Sequence, residues 1–138
     1  MAIDYTAKTQ FLFRINKGIE NAWDNEKINQ YISEEDRPLP FSRMVYIGDG
    51  STDIPAMKMI NYQGGNSIAV YPPRKQGAKE KIEKTICKGN RSTYIAKADY
   101  SENSELDCIL KSILDRISAL NRVRKYETRN FGKHFQVA

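Results

Sequence analysis

Residues 44–55 read MVYIGDGSTDIP, an apolar run that passes directly into a loop of glycines, hydroxyl side chains and carboxylates. The nearly continuous apolar run at 44–47 is typical of a short strand that is buried on both faces of a parallel sheet. After the loop, Ile54, Met57 and Ile60 lie on one side of a helix over 54–62. The segment therefore predicts a strand, a loop and a helix in succession.

The same alternation continues after residue 62. A second apolar run, SIAVY, lies at 67–71, a weaker run lies at 94–96, and residues 76–88 between them repeat apolar side chains at four-residue steps. Strands that alternate with helices favour parallel pairing. The sequence therefore predicts an α/β fold, a parallel sheet flanked by helices.

The longest periodic pattern lies in the last third of the chain. Ser101 or Ser104 is suited to cap a helix there, and Ser104 with Asp107 resembles a capping box with the shorter acid. Seven apolar residues then recur at steps of three and four and predict a helical stripe in the core: Leu106, Ile109, Leu110, Ile113, Leu114, Ile117 and Leu120.

The N-terminal segment allows two interpretations. A helix over 8–23 would place five apolar residues on one face: Phe11, Leu12, Ile15, Ile19 and Trp23. The run 11–13 fits a strand equally well. Residues 24–41 are polar and hold two prolines, which indicates a helix end and a connecting loop.

The charge distribution argues against a nucleic-acid interface. The 138 residues carry a net charge of +5, but residues 122–138 hold five basic side chains and one acidic, while residues 1–121 hold 17 and 16. The basicity belongs to a short segment and not to a binding face. We therefore expect one domain over 1–121, a basic tail over 122–138, and no nucleic-acid partner.

The chain also lacks the patterns of a membrane or secreted protein. No apolar run approaches the roughly 20 residues of a membrane-spanning helix, and the first residues do not read as a signal peptide. Cys87 and Cys108 lie 21 positions apart and His134 is the one histidine, so neither a zinc site nor a disulfide framework is indicated. We expect two buried thiols, a cytoplasmic location and no membrane partner.

The loop after the first strand holds the residues suited to chemistry. Loops at the carboxyl end of parallel strands are where α/β proteins bind ligands. Asp49 and Asp53, with Gly48 and Gly50 around the first of them, can face one small cavity and offer the oxygen ligands that Mg²⁺ prefers. The alternative is structural, because Asp-Gly pairs mark turns and Asp53 is a suitable helix N-cap.

Residues 41–58 closely resemble the fourth motif of the haloacid dehalogenase (HAD) superfamily of phosphohydrolases, whose core is Gly-Asp-Gly-x-Thr-Asp after an apolar strand. Residues 64–71 look like that family's next strand, and residues 98–106 look like its final loop and helix. The resemblance covers about residues 3–118. It is closest to the members with a phosphoserine-phosphatase-like layout.

The resemblance implies a role for individual residues. Asp49 matches the acidic Mg²⁺ ligand, and Asp53 matches the second acid, which supports the metal. Gly48, Gly50 and Thr52 are then expected to border the bound ion and its phosphate.

A lysine ahead of the motif normally neutralises the phosphoryl group. Lys8 fits the phosphoserine-phosphatase-like layout, and Lys17, in a Lys-Gly pair, fits the form seen in other branches. We favour Lys8, and both remain candidates from the sequence.

One part of the family pattern is missing. The family's reaction begins at an Asp-x-Asp-x-Thr loop whose first aspartate attacks phosphorus, and the nearest fragment here, Asp4-Tyr5-Thr6, lacks the second acid and the apolar strand before it. The Ser or Thr of the second motif has no match either. The chain thus resembles the C-terminal part of a HAD hydrolase, and we expect little or no turnover from it alone.

The missing part has a structural consequence. In the resembled fold the nucleophile strand lies beside the strand at 44–47, so without it an apolar sheet edge would be unpaired. We expect that edge to be covered by a second copy of the chain, by a separate polypeptide or by a rearranged terminal segment.

Three functions remain open: part of a phosphatase that acts on a phosphorylated small molecule, a non-catalytic metal and phosphate-binding module, and a protein-interaction module.

Overall fold

A computed structural model of the 138-residue chain describes residues 5–18, 39–86 and 93–131. The chain divides into two compact units, Met1–Asp99 and Tyr100–Ala138, which are described separately below. The residues Asp4, Ile19, Trp23, Cys87 and His134, which the sequence analysis considers, lie outside the described residues.

The first unit is built on a three-stranded parallel sheet. Its strands are β1 (Val45–Gly48), β2 (Asn66–Tyr71) and β3 (Thr93–Lys97), in the order β1-β2-β3. In the register of the sheet, Gly48 lies beside Ala69, and Tyr71 lies beside Lys97. All three predicted strands are therefore confirmed, and their carboxyl ends meet at one edge of the sheet.

Helices connect these strands and flank the sheet. Helix α1 (Tyr5–Lys17) precedes β1, α2 (Ile54–Tyr62) joins β1 to β2, and α3 (Ala78–Ile86) joins β2 to β3. The chain is thus a mixed α/β protein, as predicted, and α2 has the bounds that the apolar spacing predicts. Among the described residues β1 pairs with β2 alone, and its residues 45–47 are half-buried instead of buried on both faces as predicted.

Two apolar clusters hold the first unit together. One joins Leu12 of α1 to Phe41, Met44, Ala56 and Ile60. The other joins Met57 of α2, Ala69 of β2 and Ile86 of α3. Because both clusters include residues of α2, this helix connects α1 to the sheet, and α1 is held close to the loop that follows β1.

Helix α1 differs from the sequence prediction in its extent and its buried face. Residues 11–13 are helical, so the strand alternative is wrong. Leu12 is buried as predicted, whereas Phe11 and Ile15 are exposed. Among the described members of the predicted stripe, only Leu12 is therefore buried, and the polar residue Asn16 is buried as well.

The second unit contains α4 (Glu105–Phe131). The Ser104 hydroxyl accepts a hydrogen bond of 3.2 Å from the Asp107 N–H, and the Asp107 carboxylate accepts one of 2.9 Å from the Asn103 N–H. The predicted cap at Ser104 is thus confirmed. The helix continues past residue 121 through most of the segment predicted as a tail, and the boundary at 121 stays a prediction.

The buried stripe of α4 is narrower than predicted. Leu106, Ile113 and Ile117 are buried, but Leu114 and Leu120 are exposed. Cys108 is a free, exposed thiol, so the expectation that it is buried is wrong. Its position two residues after Leu106 turns it about 200° away from the buried face. None of the described helices has the length and hydropathy needed to cross a membrane.

Candidate functional site

The loop at the carboxyl end of β1 is organised around the side chain of Asp53. The loop passes from Gly48 into a 3-10 turn, Ser51–Asp53, and then into α2. The Asp53 carboxylate folds back, and its Oδ2 accepts hydrogen bonds of 3.0 Å from the backbone N–H groups of Asp49 and Gly50. This side chain therefore fixes the backbone on which the Asp49 carboxylate is carried.

The alternative role of Asp53, as a cap of the following helix, is only partly met. Asp53 stands at the N-cap position of α2, but its side chain makes no capping hydrogen bond to that helix. Pro55 occupies the first turn, where its missing N–H costs nothing. The carboxylate is thus used by the loop and not by the helix.

Lys8 of α1 reaches the same carboxylate from the opposite side. Its Nζ lies 2.7 Å from Asp53 Oδ1 and 2.9 Å from Thr52 Oγ1. The Asp53 side chain is 6% exposed and that of Lys8 is 24% exposed, so the ion pair borders solvent on the lysine side only. The structure therefore brings Lys8 together with Thr52 and Asp53, which follow it by more than 40 positions in the chain.

Lys17, the other candidate lysine, lies at the far end of α1. It lies nine positions after Lys8 in the helix, which corresponds to about 13 Å along the helix axis. The described structure places Lys8 at the acidic loop and does not place Lys17 there.

Tyr46 is a member of this cluster that the sequence did not suggest. Its hydroxyl donates a hydrogen bond of 2.6 Å to Asp53 Oδ1. Burial, the hydrogen bond to Asp53 and the negative charges of Asp53 and Asp49 raise the pKa of Tyr46, so its hydroxyl remains a donor at neutral pH. The sequence held one indication that Tyr46 belongs to this cluster. Tyr46 and Gly48 are two positions apart, so they share a face of β1.

The charge of Asp53 is stabilised where it lies. Burial by itself raises the pKa of Asp53, but the hydrogen bonds from Lys8, Tyr46 and the Gly50 N–H outweigh burial and hold the pKa below its ordinary value. Its two oxygens accept four hydrogen bonds in all, which matches the roughly four acceptor positions of a carboxylate. This arrangement favours a positioning role for Asp53 over direct contact with a metal.

Asp49 has the opposite environment. It is exposed, and among the described residues its carboxylate has no hydrogen-bond or ion-pair partner. Within residues 5–18, 39–86 and 93–131, no group of three His, Cys, Asp or Glu side chains could enclose a metal ion. Mg²⁺, however, commonly uses one or two carboxylates and completes its shell with water and substrate phosphate. Asp49 fits one such ligand position.

The two glycines of the loop are not equivalent. A Cβ atom on Gly48 would lie 2.5 Å from Asp53 Cγ, whereas a Cβ atom on Gly50 would have nothing nearer than Asp53 Oδ2 at 3.9 Å. Gly48 is therefore required for the Asp53 side chain to fold back against β1. Gly50 leaves open space on the exposed side of the loop.

Comparison with known proteins adds one relative. An uncharacterized protein of Borreliella burgdorferi is 33% identical to this chain over 107 residues, which make up 75% of the chain and 34% of that protein. The chain thus spans about a third of the length of the relative. No protein-family model and no solved structure matches the chain.

Proposed function

We propose that this chain is the C-terminal part of a HAD-like phosphohydrolase, which holds the metal and phosphate but not the attacking carboxylate. The observation that supports this proposal is the cluster in which Lys8 and the buried Asp53 fix the loop that carries the exposed Asp49. The cluster lies at the carboxyl edge of a parallel sheet, where α/β proteins bind ligands.

Each residue has a part in the proposed site. Asp49 provides one oxygen ligand to Mg²⁺, which when bound neutralises charge on the phosphoryl group. Lys8 has three N–H donors, and among the described residues Asp53 and Thr52 accept two of them, which leaves the third for a phosphate oxygen. Asp53 orients Lys8 and the loop. The ligand in this proposal is a phosphorylated small molecule.

The attacking carboxylate must come from another part of the enzyme. Among the described residues β1 has an open edge next to the loop, and its residues 45–47 are half-buried. An added strand would bury this edge and bring a carboxylate beside Asp49. We propose that further chain or a partner polypeptide provides it. The length of the Borreliella protein, about three times the matched segment, is consistent with such an addition.

A non-catalytic module that binds a metal and phosphate, or a partner protein, is the alternative function. The open edge of β1 and the missing nucleophile favour it. It predicts phosphate binding or partner binding at this loop with no turnover even when the edge is covered. The two functions therefore differ in whether the protein hydrolyses a phosphate ester once the edge of β1 is covered.

The test is hydrolysis of p-nitrophenyl phosphate in the presence of Mg²⁺ by the purified chain, with Asp49→Asn as the control for contaminating phosphatase. We expect the two proteins to release nitrophenol at the same background rate. Turnover that Asp49→Asn abolishes would show that the chain has its own nucleophile, and the proposal of an incomplete site would then be wrong.

The proposal also includes a cytoplasmic location. The exposed free thiol of Cys108 is consistent with a reducing compartment, because exposed thiols in oxidising compartments tend to form disulfides. Cell fractionation with an antibody against the chain tests this part, and recovery in the secreted fraction would contradict it.

A further inference from the structure

We propose that Tyr46 is a positioning residue of this site: its hydroxyl holds Asp53 Oδ1 and thereby determines where the Lys8 ammonium group lies. The inference rests on the proposed function for its consequence in phosphate binding. The positioning itself rests on the hydrogen bonds of the described residues and can be tested separately.

Tyr46 and Lys8 donate to the same oxygen of Asp53. Asp53 Oδ1 accepts from Tyr46 at 2.6 Å and from Lys8 at 2.7 Å, while Oδ2 accepts from two backbone N–H groups. The backbone donors restrain one end of the carboxylate, and Tyr46 restrains the other. Without the Tyr46 hydroxyl, Lys8 would be the one side-chain donor to Oδ1, and its partly exposed ammonium group could turn toward water.

Tyr46 is better suited than Lys8 to fix this oxygen. Its ring packs against both apolar clusters of the first unit, and its backbone lies beside Ser67 in the sheet. A packed tyrosine has two side-chain torsions, whereas lysine has four and loses more rotamer entropy when it is held in place. The rigid donor therefore positions the acceptor, and the acceptor positions the flexible lysine.

The consequence concerns the direction in which Lys8 donates. Asp53 and Thr52 accept two of its three N–H donors, and the direction of the third follows from the positions of these two acceptors. If Oδ1 moves, the free N–H turns with the ammonium group. We therefore expect phosphate binding to weaken although no atom of Tyr46 contacts the phosphate.

The test compares Tyr46→Phe with Tyr71→Phe. Tyr71 lies on the neighbouring strand β2 and is a buried residue, and its hydroxyl has no hydrogen bond among the described residues, so its removal controls for the loss of a tyrosine hydroxyl from the sheet. The first measurement is the NMR signal of the Lys8 ammonium group, which reports its hydrogen bonds. The second is the Kd of inorganic phosphate in the presence of Mg²⁺.

We expect Tyr46→Phe to shift the Lys8 signal and to raise the phosphate Kd by about tenfold, the effect of one lost hydrogen bond. Tyr71→Phe should leave the signal in place and change the Kd by less than about twofold. An unchanged Lys8 signal in Tyr46→Phe, or equal effects of the two substitutions, would overturn the inference.

Two further results separate this inference from the proposed function. If the unaltered chain binds no phosphate, the proposed function fails, but the Lys8 signal still decides whether Tyr46 positions it. If Tyr46→Phe does not fold, the inference can be tested on the unaltered chain. Its Tyr46 hydroxyl proton should exchange slowly with water and show a nuclear Overhauser effect to the Lys8 ammonium protons, and the lack of such a proton would contradict the inference.

Discussion

Asp53→Asn removes the charge at the centre of the cluster while keeping the shape of the side chain. The carboxylate accepts four hydrogen bonds, two at each oxygen. Asparagine has one acceptor oxygen, and its amide nitrogen is a donor. One of the two pairs of groups that now donate to a carboxylate oxygen would therefore face the amide nitrogen. The substitution therefore loses up to two of the four hydrogen bonds: both backbone bonds if the nitrogen takes the Oδ2 position, or the Lys8 bond if it takes the Oδ1 position, where the Tyr46 hydroxyl can turn and accept.

The expected loss of stability follows from these bonds. Hydrogen bonds to charged groups contribute about 1.5–3 kcal/mol each, so two of them set an upper range of about 3–6 kcal/mol. Lys8 and Tyr46 are partly exposed and can turn to water, which reduces the loss. We expect Asp53→Asn to lower the free energy of unfolding by about 2–4 kcal/mol.

The assay is urea denaturation followed by far-UV circular dichroism at pH 7, in buffer with EDTA so that metal binding does not contribute. Asp49→Asn is the matched control, because the exposed Asp49 carboxylate has no partner among the described residues and should change stability by no more than about 0.5 kcal/mol. Equal effects of the two substitutions, or a loss below about 1 kcal/mol for Asp53→Asn, would contradict a stabilising role of the Asp53 hydrogen bonds.

Three more predictions test the same cluster. Gly48→Ala should lower the thermal midpoint by several degrees, since its Cβ would lie 2.5 Å from Asp53 Cγ, whereas Gly50→Ala should leave the midpoint nearly unchanged; differential scanning fluorimetry compares them. The pKa of Asp53 is lower in the folded chain than its ordinary value of about 3.9, which adds stability to the fold. This added stability is complete above the ordinary pKa and is lost as the pH falls through the lower folded value. Urea midpoints between pH 5 and 2 should therefore fall more steeply in the unaltered chain than in Asp53→Asn. A double-mutant cycle of Lys8→Met and Asp53→Asn should give a coupling energy of about 1 kcal/mol, and a value near zero would contradict the ion pair.

Local pattern was sufficient to predict the three strands and α2, but it left helix and strand both open at residues 11–13 of α1. The run at 44–47, the glycine loop and the spacing of Ile54, Met57 and Ile60 define β1, its loop and α2, because strand and helix periods are properties of neighbouring residues. The half-burial of β1 was not predictable in this way. A strand is buried on both faces only where other elements cover the sheet on both sides, and this cover depends on the whole fold.

The candidate site required information that periodicity does not contain. Lys8 and Asp53 are 45 positions apart, and the resemblance to the fourth HAD motif was the reason to consider them together. Tyr46 was missed because an apolar strand residue was weighed for burial and not for its hydroxyl. Gly48 was predicted to border a ligand. In the structure it makes room for the Asp53 side chain, whose close approach depends on a side-chain rotamer.

The outer limits of helical stripes were the other source of error. Leu114 and Leu120 share helical spacing with the buried residues of α4, and Phe11 and Ile15 share it with Leu12, yet all four are exposed. Spacing fixes the direction in which a side chain leaves its helix. It does not fix how much of that direction is covered by the rest of the fold.

Calorimetric titration of the chain with inorganic phosphate tests the proposal that the loop of Asp49 and the lysine of α1 bind phosphate together with Mg²⁺. We predict saturable binding that requires Mg²⁺, that Lys8→Met abolishes, and that the matched substitution Lys17→Met at the far end of α1 preserves. Binding that is independent of Mg²⁺, or equal loss in the two lysine variants, would contradict the account.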